Sequence, residues 1–484
     1  MSKRKLFLLV IMSLLIALIA ACGRGGDDPE PTPTPPPAEE TGNEVEPPPE
    51  EEGPGEDEVA PPDDDRIDFG GAEFVWRSPW ARDFLGEHEG QIPDETQERF
   101  RDQVRMIEEY YNVVINFEPI DHLGPELVST YIMAGELIGD VLDMQGRYLV
   151  RMHANDFVMP FNNATTFDPN DPAWNTTVVN ATTWGGNTYG VWSDGYVTML
   201  GLFVNDNLRA SLNLEPIEDV YRRGDWNWDT FLQYMIAATD RANNQFGVVV
   251  NDGPDMHTML LHSNGFPAIQ NVGGRLEFMG MDPRVLNAFD FFSNLFHLYS
   301  VAPTSYDGIP FGGSVLNFAA GQSLFIVADD WIIYGWNEGW WDAPPDWNVI
   351  QVPLPMGPDT NQHHAFVGGL FRTLTLPANN PDPDRSVTIL RALLSPIEHP
   401  DGWEPLHFWD DLRLNVFRED FSIYTRQRNL QTSNFDWTVT VPDSWLEIAI
   451  AANDIRGGYN TPVGALEAIM DVVQADIDEN FNNR

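Results

Sequence analysis

Patterns typical of strands and of helices alternate in the first third of the chain, and this order constrains the fold more than any other feature. In chain order they are a strand at 72–76, a helix at about 94–111, a strand at 113–117, a helix at 127–133 and a strand at 138–144. The longer helix carries Phe100, Val104 and Ile107 at helical spacing. Consecutive strands joined by helices pair in parallel through crossover connections. The sequence therefore predicts an α/β fold.

The second half of the chain continues with elements of both kinds. A helix should begin at Asn227, because an asparagine side chain is a favoured N-cap. The other predicted elements are a helix at 285–299, strands at 323–328 and 347–352, and a closing helix with Leu466, Ile469, Val473 and Ile477 on one face. A chain of 484 residues exceeds what one hydrophobic core usually organises, so we expect two lobes.

Charge and two rare residue types exclude several classes of function. The chain has 27 Lys and Arg against 74 Asp and Glu, which gives a net charge of −47. This charge argues against nucleic-acid binding, which depends on Lys and Arg neutralising phosphates. The lysines are Lys3 and Lys5, and Cys22 is the single cysteine. Once the first segment is removed, Schiff-base lysines, Gly-Lys-Ser/Thr phosphate loops, disulfides and thiolate zinc sites are excluded. We interpret the acidity as adaptation to a salty environment; a cationic ligand is the alternative.

The N-terminus predicts export and attachment to a membrane. Basic residues at 3–5 precede an apolar run at 6–21, as in a signal peptide, and small residues then lead to Cys22, as in a bacterial lipobox. An ordinary signal peptide with an incidental cysteine is the alternative. Residues 22–66, with the lipidated cysteine first, are rich in Pro, Glu and Asp, which predicts a disordered linker acting as a spacer rather than a binding tail.

Four stretches resemble the extracellular solute-binding proteins of ABC importers, in particular the sugar-binding group related to maltose-binding protein. They are 107–115, 134–143, 187–231 and 320–369. The third contains Tyr-Gly-Val at 189–191 and Asn-Trp-Asp at 227–229, similar to the family's Tyr-Gly-hydrophobic entry and its Thr/Asn-Trp-Asp helix start. The resemblance is built from short pieces that occur in the family's order.

The resemblance implies a two-lobed periplasmic-binding-protein-like α/β fold of the class II type, with the ligand cleft between lobes joined by hinge segments. The first lobe would combine 67–197 with 354–405, and the second would combine 198–353 with 406–484. The chain would cross between lobes near 196–204 and near 350–355. Closure of the lobes around a ligand is a common motion of such proteins.

The function that the resemblance implies is that of a substrate-binding lipoprotein of an ABC transporter. It would capture a sugar or oligosaccharide and deliver it to membrane permease subunits, from the extracellular face of a bacterial cell membrane. Its partners would be the carbohydrate, the permease and the membrane, through lipid on Cys22, and we expect a monomer. A secreted, surface-anchored glycosidase or an adhesion lipoprotein is the alternative, since 74 acids supply many carboxylate pairs.

Aromatic and polar residues that follow predicted strands or flank the crossings are the candidates for binding a sugar. A flat ring covers the apolar face of a pyranose, while carboxylates, amides and guanidinium groups bind its hydroxyls. The candidates are Trp331, Asp330, Asp329, Asp143, Gln145, Arg147, Trp76, Trp80, Trp192, Phe371 and Trp340. We expect no catalytic residue and no cofactor. We also expect no metal site, because the adjacent pair His363 and His364 has no companion cysteine or suitably spaced acid.

Overall fold

The structure is a computed structural model. It describes residues 67–82, 95–120, 123–193, 200–250, 255–304, 313–329, 348–367, 371–395, 420–439, 441 and 444–482. The predicted signal peptide and linker at 1–66 lie outside the described residues, as do Asp330, Trp331 and Trp340.

The first half of the described chain alternates strands and helices. In chain order these are β1 (Ala72–Ser78), α1 (Glu95–Tyr111), β2 (Val113–Pro119), α2 (Pro125–Ala134), β3 (Val141–Gln145), α3 (Leu149–Ala154), β4 (Val158–Met159), α4 (Thr176–Ala181), β5 (Thr183–Trp184) and β6 (Asn187–Thr188). The predicted β-α-β-α-β order is confirmed.

The second half begins with β7 and ends in two long helices. Its elements are β7 (Leu200–Asn205), α5 (Asp206–Ser211), α6 (Ile217–Arg222), α7 (Trp228–Ala238), β8 (Phe246–Val250), α8 (Asp255–Ser263), β9 (Ile269–Val272), β10 (Arg275–Phe278), α9 (Pro283–His297), α10 (Gly313–Ala319), β11 (Ser323–Asp329), β12 (Val349–Val352), β13 (Ala365–Val367), β14 (Arg372–Pro377), α11 (Pro383–Leu394), α12 (Asp420–Thr432), β15 (Ser433–Phe435), α13 (Ser444–Gly457) and α14 (Pro462–Ile477).

The first sheet has the strand order β2-β1-β3-β14-β4. β1 pairs in parallel with β2 and β3, whereas β14 runs antiparallel to β3 and β4. Phe100, Val104 and Ile107 of α1 are buried in its core, as their spacing predicts. We call this sheet and the elements that pack on it the first lobe.

β3 begins three residues later than predicted, because the Asp140 side chain binds the backbone of β1. An Asp140 carboxylate oxygen accepts the Val75 N–H at 2.8 Å, and the Asp140 N–H donates to the Val75 carbonyl oxygen at 2.8 Å. The carboxylate thus occupies the Val75 N–H that a longer β3 would have paired with, so regular pairing starts at Val141.

The second sheet has the order β12-β7-β11-β8. β11 is parallel to β8 and antiparallel to β7, and β7 is antiparallel to β12. Every residue of β7, β8 and β11 is buried, because helices cover both faces. We call this sheet and the elements that pack on it the second lobe.

Helix positions predicted for the second lobe are confirmed. Asn227 caps α7 by accepting the Thr230 N–H at 3.1 Å. α9 ends two residues before the predicted position, close to Ser300, which has a left-handed φ of 55°. The predicted apolar face of α14 is buried in the second core.

Core membership changes between β13 and β14. Leu354 and Phe366 lie in the second core and β13 pairs with β15, whereas Phe371 lies in the first core. The crossings near 196–204 and 350–355 and the lobe boundaries stay predictions.

The second core also encloses titratable groups. Burial lowers the pKa of His257 from its ordinary value of 6.5 to about 4. His262 stacks on Phe366, with ring centroids 4.0 Å apart, and its Nε2 lies 3.5 Å from a carboxylate oxygen of Asp436. Burial alone would raise the pKa of Asp436, but His262 and the Thr438 N–H outweigh burial and lower it.

We find no helix within the described ranges that combines the length and the apolar character needed to cross a membrane.

Candidate functional site

The carboxyl ends of the parallel strands of the first lobe lie at one edge of the first sheet. β1 ends at Ser78 and β3 ends at Gln145, and Arg372, the first residue of antiparallel β14, pairs directly with Gln145. Ligands of open α/β sheets bind beyond the carboxyl ends of the strands. We call this edge, with the residues that immediately follow β1 and β3, the crevice edge.

A buried ion pair fixes the centre of the crevice edge. Arg372 contacts both carboxylate oxygens of Asp143, one from Nη2 and the other from Nε at 3.1 Å. Ser78 Oγ donates to the same carboxylate at 2.8 Å. Asp143 is fully buried and the Arg372 side chain is only 6% exposed. A buried charge pair with this geometry is specific in orientation, because each partner fills the hydrogen-bonding positions of the other.

Two tryptophans stack on the same guanidinium group. Arg372 Cζ lies 4.2 Å from the ring centroid of Trp80 and 4.6 Å from that of Trp192. Both distances are well within the range of cation–π attraction. The backbone N–H of Trp80 also donates to Ser78 Oγ at 3.0 Å. Trp192 is buried, whereas Trp80 keeps part of its surface at the crevice edge.

The turn after β3 places polar groups that lack protein partners. The Gly146 N–H donates to the Phe371 carbonyl at 2.7 Å, and a Cβ at Gly146 would lie 2.0 Å from the Phe371 ring. Glycine is thus required for this close approach. Arg147 Nη2 donates to the Tyr148 hydroxyl at 3.0 Å. Within the described part of the chain, Gln145 Oε1 and Arg147 Nε are buried and have no hydrogen-bond partner. Buried polar atoms usually find a partner, so the lack of one here makes this turn a candidate ligand site.

Trp76 and Asp143 do not lie where the sequence placed them. Trp76 is fully buried in β1 and packs on Phe117, with ring centroids 5.5 Å apart. Trp76 lies two residues before the end of β1, and its side chain belongs to the core of the first lobe. The Asp143 carboxylate is occupied by Arg372 and Ser78. In this structure Trp76 packs in the core and Asp143 pairs with Arg372, and a role of either residue in binding stays a prediction.

The remaining predictions for the site fall into three groups. Gln145, Arg147 and Trp80 lie together at the crevice edge, while Trp192 and Phe371 form the buried layer beneath it. Asp329 ends β11 opposite Leu200 and is 8% exposed. Trp331, Asp330 and Trp340 lie outside the described residues, so their role in binding stays a prediction.

The sequence analysis missed Arg372 and Ser78. Arg372 is a lone charge at the start of the otherwise uncharged strand at 372–377, and a charge in a buried strand requires a partner. The sequence alone could therefore have indicated that Arg372 has a buried partner. The contribution of Ser78 depends on strand order, which no local pattern specifies.

No cluster of His, Cys, Asp and Glu suited to a metal ion occurs among the residues that the structure describes.

Comparison with known proteins identifies the fold. No family model matches the sequence, and no curated protein matches it. A cyclo/maltodextrin-binding protein complexed with maltotetraose has a TM-score of 0.62 at 16% identity, covering 84% of this chain and 97% of that chain. The extracellular solute-binding protein of Staphylococcus aureus in complex with maltose has a TM-score of 0.59 at 12% identity, covering 84% and 97%. An ABC substrate-binding protein of Listeria monocytogenes in complex with cycloalternan has a TM-score of 0.58 at 15% identity, covering 84% and 98%.

These similarities confirm the predicted two-lobed α/β solute-binding fold. The solved structures are those of binding proteins, several of them for maltose or maltodextrins, as the sequence resemblance predicts. At 12–16% identity the similarity is one of fold.

Proposed function

We propose that this protein is the substrate-binding component of an ABC importer, which captures a sugar or oligosaccharide in the crevice between its lobes. The observation that carries the proposal is the crevice edge, where Gln145 Oε1 and Arg147 Nε lack protein partners beside the partly exposed Trp80. In this fold, that edge is the site expected for a ligand. Structural neighbours that bind maltodextrins, cycloalternan and tagatose support a carbohydrate.

The chemistry of the crevice edge suits a neutral sugar. Trp80 offers a ring that Arg372 stacks against, while its backbone N–H is bound by Ser78, and an apolar sugar face can stack on this ring. Gln145 supplies a carbonyl acceptor and Arg147 supplies N–H donors for hydroxyl groups. Nothing in this arrangement requires a bond to be made or broken, so we propose binding without catalysis.

The second lobe would close the crevice from the opposite side. We propose that Asp329, Asp330, Trp331 and Trp340 supply that wall, because β11 ends at Asp329. We assign 67–193 with 371–395 to the first lobe and 200–367 with 420–482 to the second. This assignment follows the core contacts of Leu354, Phe366 and Phe371.

Attachment to the cell follows from the N-terminal sequence. We propose that lipid on Cys22 anchors a monomer to the outer face of the cell membrane, and that the linker up to about residue 66 holds the binding lobes near the permease. Labelling with a radioactive or clickable fatty acid should mark the wild type and not Cys22→Ser.

Titration calorimetry of the purified protein with maltotetraose, cycloalternan and tagatose tests the binding function. We expect saturable binding to at least one sugar, weakened about tenfold or more in Arg147→Ala, which removes a donor without a substitute. Arg105→Ala is the matched control, because Arg105 is 68% exposed and lies on α1. Release of cleavage products would contradict the proposal, as would equal affinities of the Arg147→Ala and Arg105→Ala proteins.

A further inference from the structure

A concave pocket of about 730 Å³ lies on the second lobe. Its wall comes from α6, from the start of α12 and from the segment 356–363. α12 packs along β12, the outer strand of the second sheet. Among the described residues that line the pocket, none belongs to the first lobe. The pocket is therefore a feature of one lobe and is distinct from the crevice edge.

Three aromatic rings form one side of this pocket. The rings of Phe421 and Tyr424 are nearly parallel, with 12° between their planes and 6.3 Å between their centroids. Tyr221 is tilted against both rings, and its hydroxyl lies 3.4 Å from that of Tyr424. Phe421 is buried, whereas Tyr424 is 47% exposed. The pocket therefore presents one accessible aromatic ring, with two hydroxyl groups at its rim.

Unpaired polar groups face the same pocket. His363 Nδ1 lies 2.9 Å from the Leu354 carbonyl oxygen, which can only accept, so Nδ1 carries the proton of this hydrogen bond. Burial lowers the pKa of His363, so the ring is neutral near pH 7 and its Nε2 is an acceptor. Within the described ranges, the Asn361 amide and the Asp420 carboxylate form no hydrogen bond or ion pair. The pocket thus offers both donors and acceptors.

Both arginines that line the pocket are already paired with carboxylates. Arg222 Nε donates to Glu218 at 2.9 Å. Arg223 donates to Asp225 at 3.0 Å and to Glu215 at 2.9 Å. A phosphate or carboxylate would have to displace these carboxylates and would also meet the Asp420 carboxylate, and a cation would meet two guanidinium groups. The pocket therefore favours an uncharged ligand with many hydroxyl groups.

We propose that this pocket is a second carbohydrate site, which holds one neutral pyranose residue with its apolar face on Tyr424. The Tyr221 hydroxyl, His363 Nε2, Asn361 and Asp420 are placed to bind its hydroxyl groups. The inference goes beyond the proposed function, because the pocket can bind a sugar whether or not the crevice does.

Saturation-transfer NMR of the purified protein with methyl α-D-glucopyranoside and with maltotetraose tests this site. We expect Tyr424→Ala to weaken binding at the pocket about tenfold, and Tyr221→Phe, which removes only a hydroxyl, to weaken it about threefold. The matched control is Tyr459→Ala, because Tyr459 is 84% exposed and does not line the pocket. All three variants should keep the wild-type circular dichroism spectrum.

Combining these variants with Arg147→Ala separates the two sites. If Arg147→Ala removes one binding event and Tyr424→Ala removes another, both sites bind sugar. If Tyr424→Ala behaves like Tyr459→Ala, the pocket inference is overturned, and the crevice is judged by Arg147→Ala alone. If only Tyr424→Ala reduces binding, the pocket inference stands and the proposed crevice function fails.

Discussion

Two buried titratable groups, one in each lobe, are accommodated in different ways. At the crevice edge of the first lobe, Asp143 and Arg372 are buried as a hydrogen-bonded pair of opposite charges, and Trp80 and Trp192 cover the guanidinium group. In the second core, His257 is buried between phenylalanine rings, and burial lowers its pKa although the Asp436 carboxylate acts in the opposite direction. Arg372 is therefore buried with a partner of opposite charge, whereas His257 is buried in its neutral form.

The largest effect is expected from breaking the ion pair. Asp143→Ala leaves Arg372 buried without the carboxylate that its guanidinium contacts, and should lower the free energy of unfolding by about 3–5 kcal/mol. Urea denaturation measures this loss. A double variant Asp143→Leu, Arg372→Met should recover much of it, because both charges are removed together. A loss no larger than that of Asp102→Ala, whose carboxylate pairs with Arg105 at the surface, would contradict this account.

The loss of folding stability at acidic pH should arise in the second lobe. Because the pKa of His257 is about 4 in the folded protein and 6.5 ordinarily, the neutral ring stabilises the fold fully above pH 6.5, and this contribution is lost as the pH falls toward 4. The change corresponds to about 3 kcal/mol. Thermal unfolding from pH 7 to pH 4 should show a shallower loss of stability in His257→Phe than in the wild type. Asp436 adds a loss at lower pH, since its pKa is lowered in the folded state. If the stability of His257→Phe and that of the wild type fall in parallel with pH, a group other than His257 causes the loss of stability in acid.

A smaller effect is expected from adding a methyl group at the crevice edge. Gly146→Ala would place its Cβ 2.0 Å from the Phe371 ring, so the ring or the turn must move, and stability should fall by about 2 kcal/mol. Sugar affinity should fall as well, because Gln145 and Arg147 flank the glycine. Gly185→Ala is a control for stability alone, since a Cβ there meets nothing within 4 Å, although its φ of 58° adds some strain. Unchanged sugar affinity in Gly146→Ala would show that the turn does not position the ligand.

The smallest effects on stability are expected from removing one helix N-cap in each lobe. Asn175 accepts two backbone N–H groups at the start of α4, and Asn227 accepts one at the start of α7. Asn→Ala should cost about 1 kcal/mol in each case, and more at Asn175. Chemical denaturation of the two single variants measures the difference. A larger loss at Asn227 would indicate that the longer helix, not the number of hydrogen bonds, decides the effect.

Local patterns were sufficient for the elements of the fold. The helical spacing of Phe100, Val104 and Ile107, and the cap at Asn227, each predicted an element within one or two residues. These features depend on neighbours along the chain, so a single sequence contains them. The predicted start of β3 was wrong because the Asp140 carboxylate accepts a hydrogen bond from the Val75 N–H of β1, which lies 65 residues earlier in the chain.

The site was less predictable, because it depends on which strands are neighbours. The apolar pattern around Trp76 does not specify what packs on its face of the sheet, and in the structure that packing buries it completely. Asp143 looked like a strand-end carboxylate, but its partner Arg372 is 229 residues away. Gln145 and Arg147 lie at the end of a parallel strand as expected, because a turn after such a strand lies at the crevice edge whatever the strand order, and their role in binding stays a prediction.

The pairing of β3 with β14 also orders events during synthesis. The chain carries Asp143 out of the ribosome 229 residues ahead of Arg372, and all four strands of the second sheet are made in between. Until Arg372 has been synthesised, the Asp143 carboxylate lacks the guanidinium partner with which it is buried in the native fold. A truncated polypeptide that stops before residue 371 should therefore be unable to complete the first sheet.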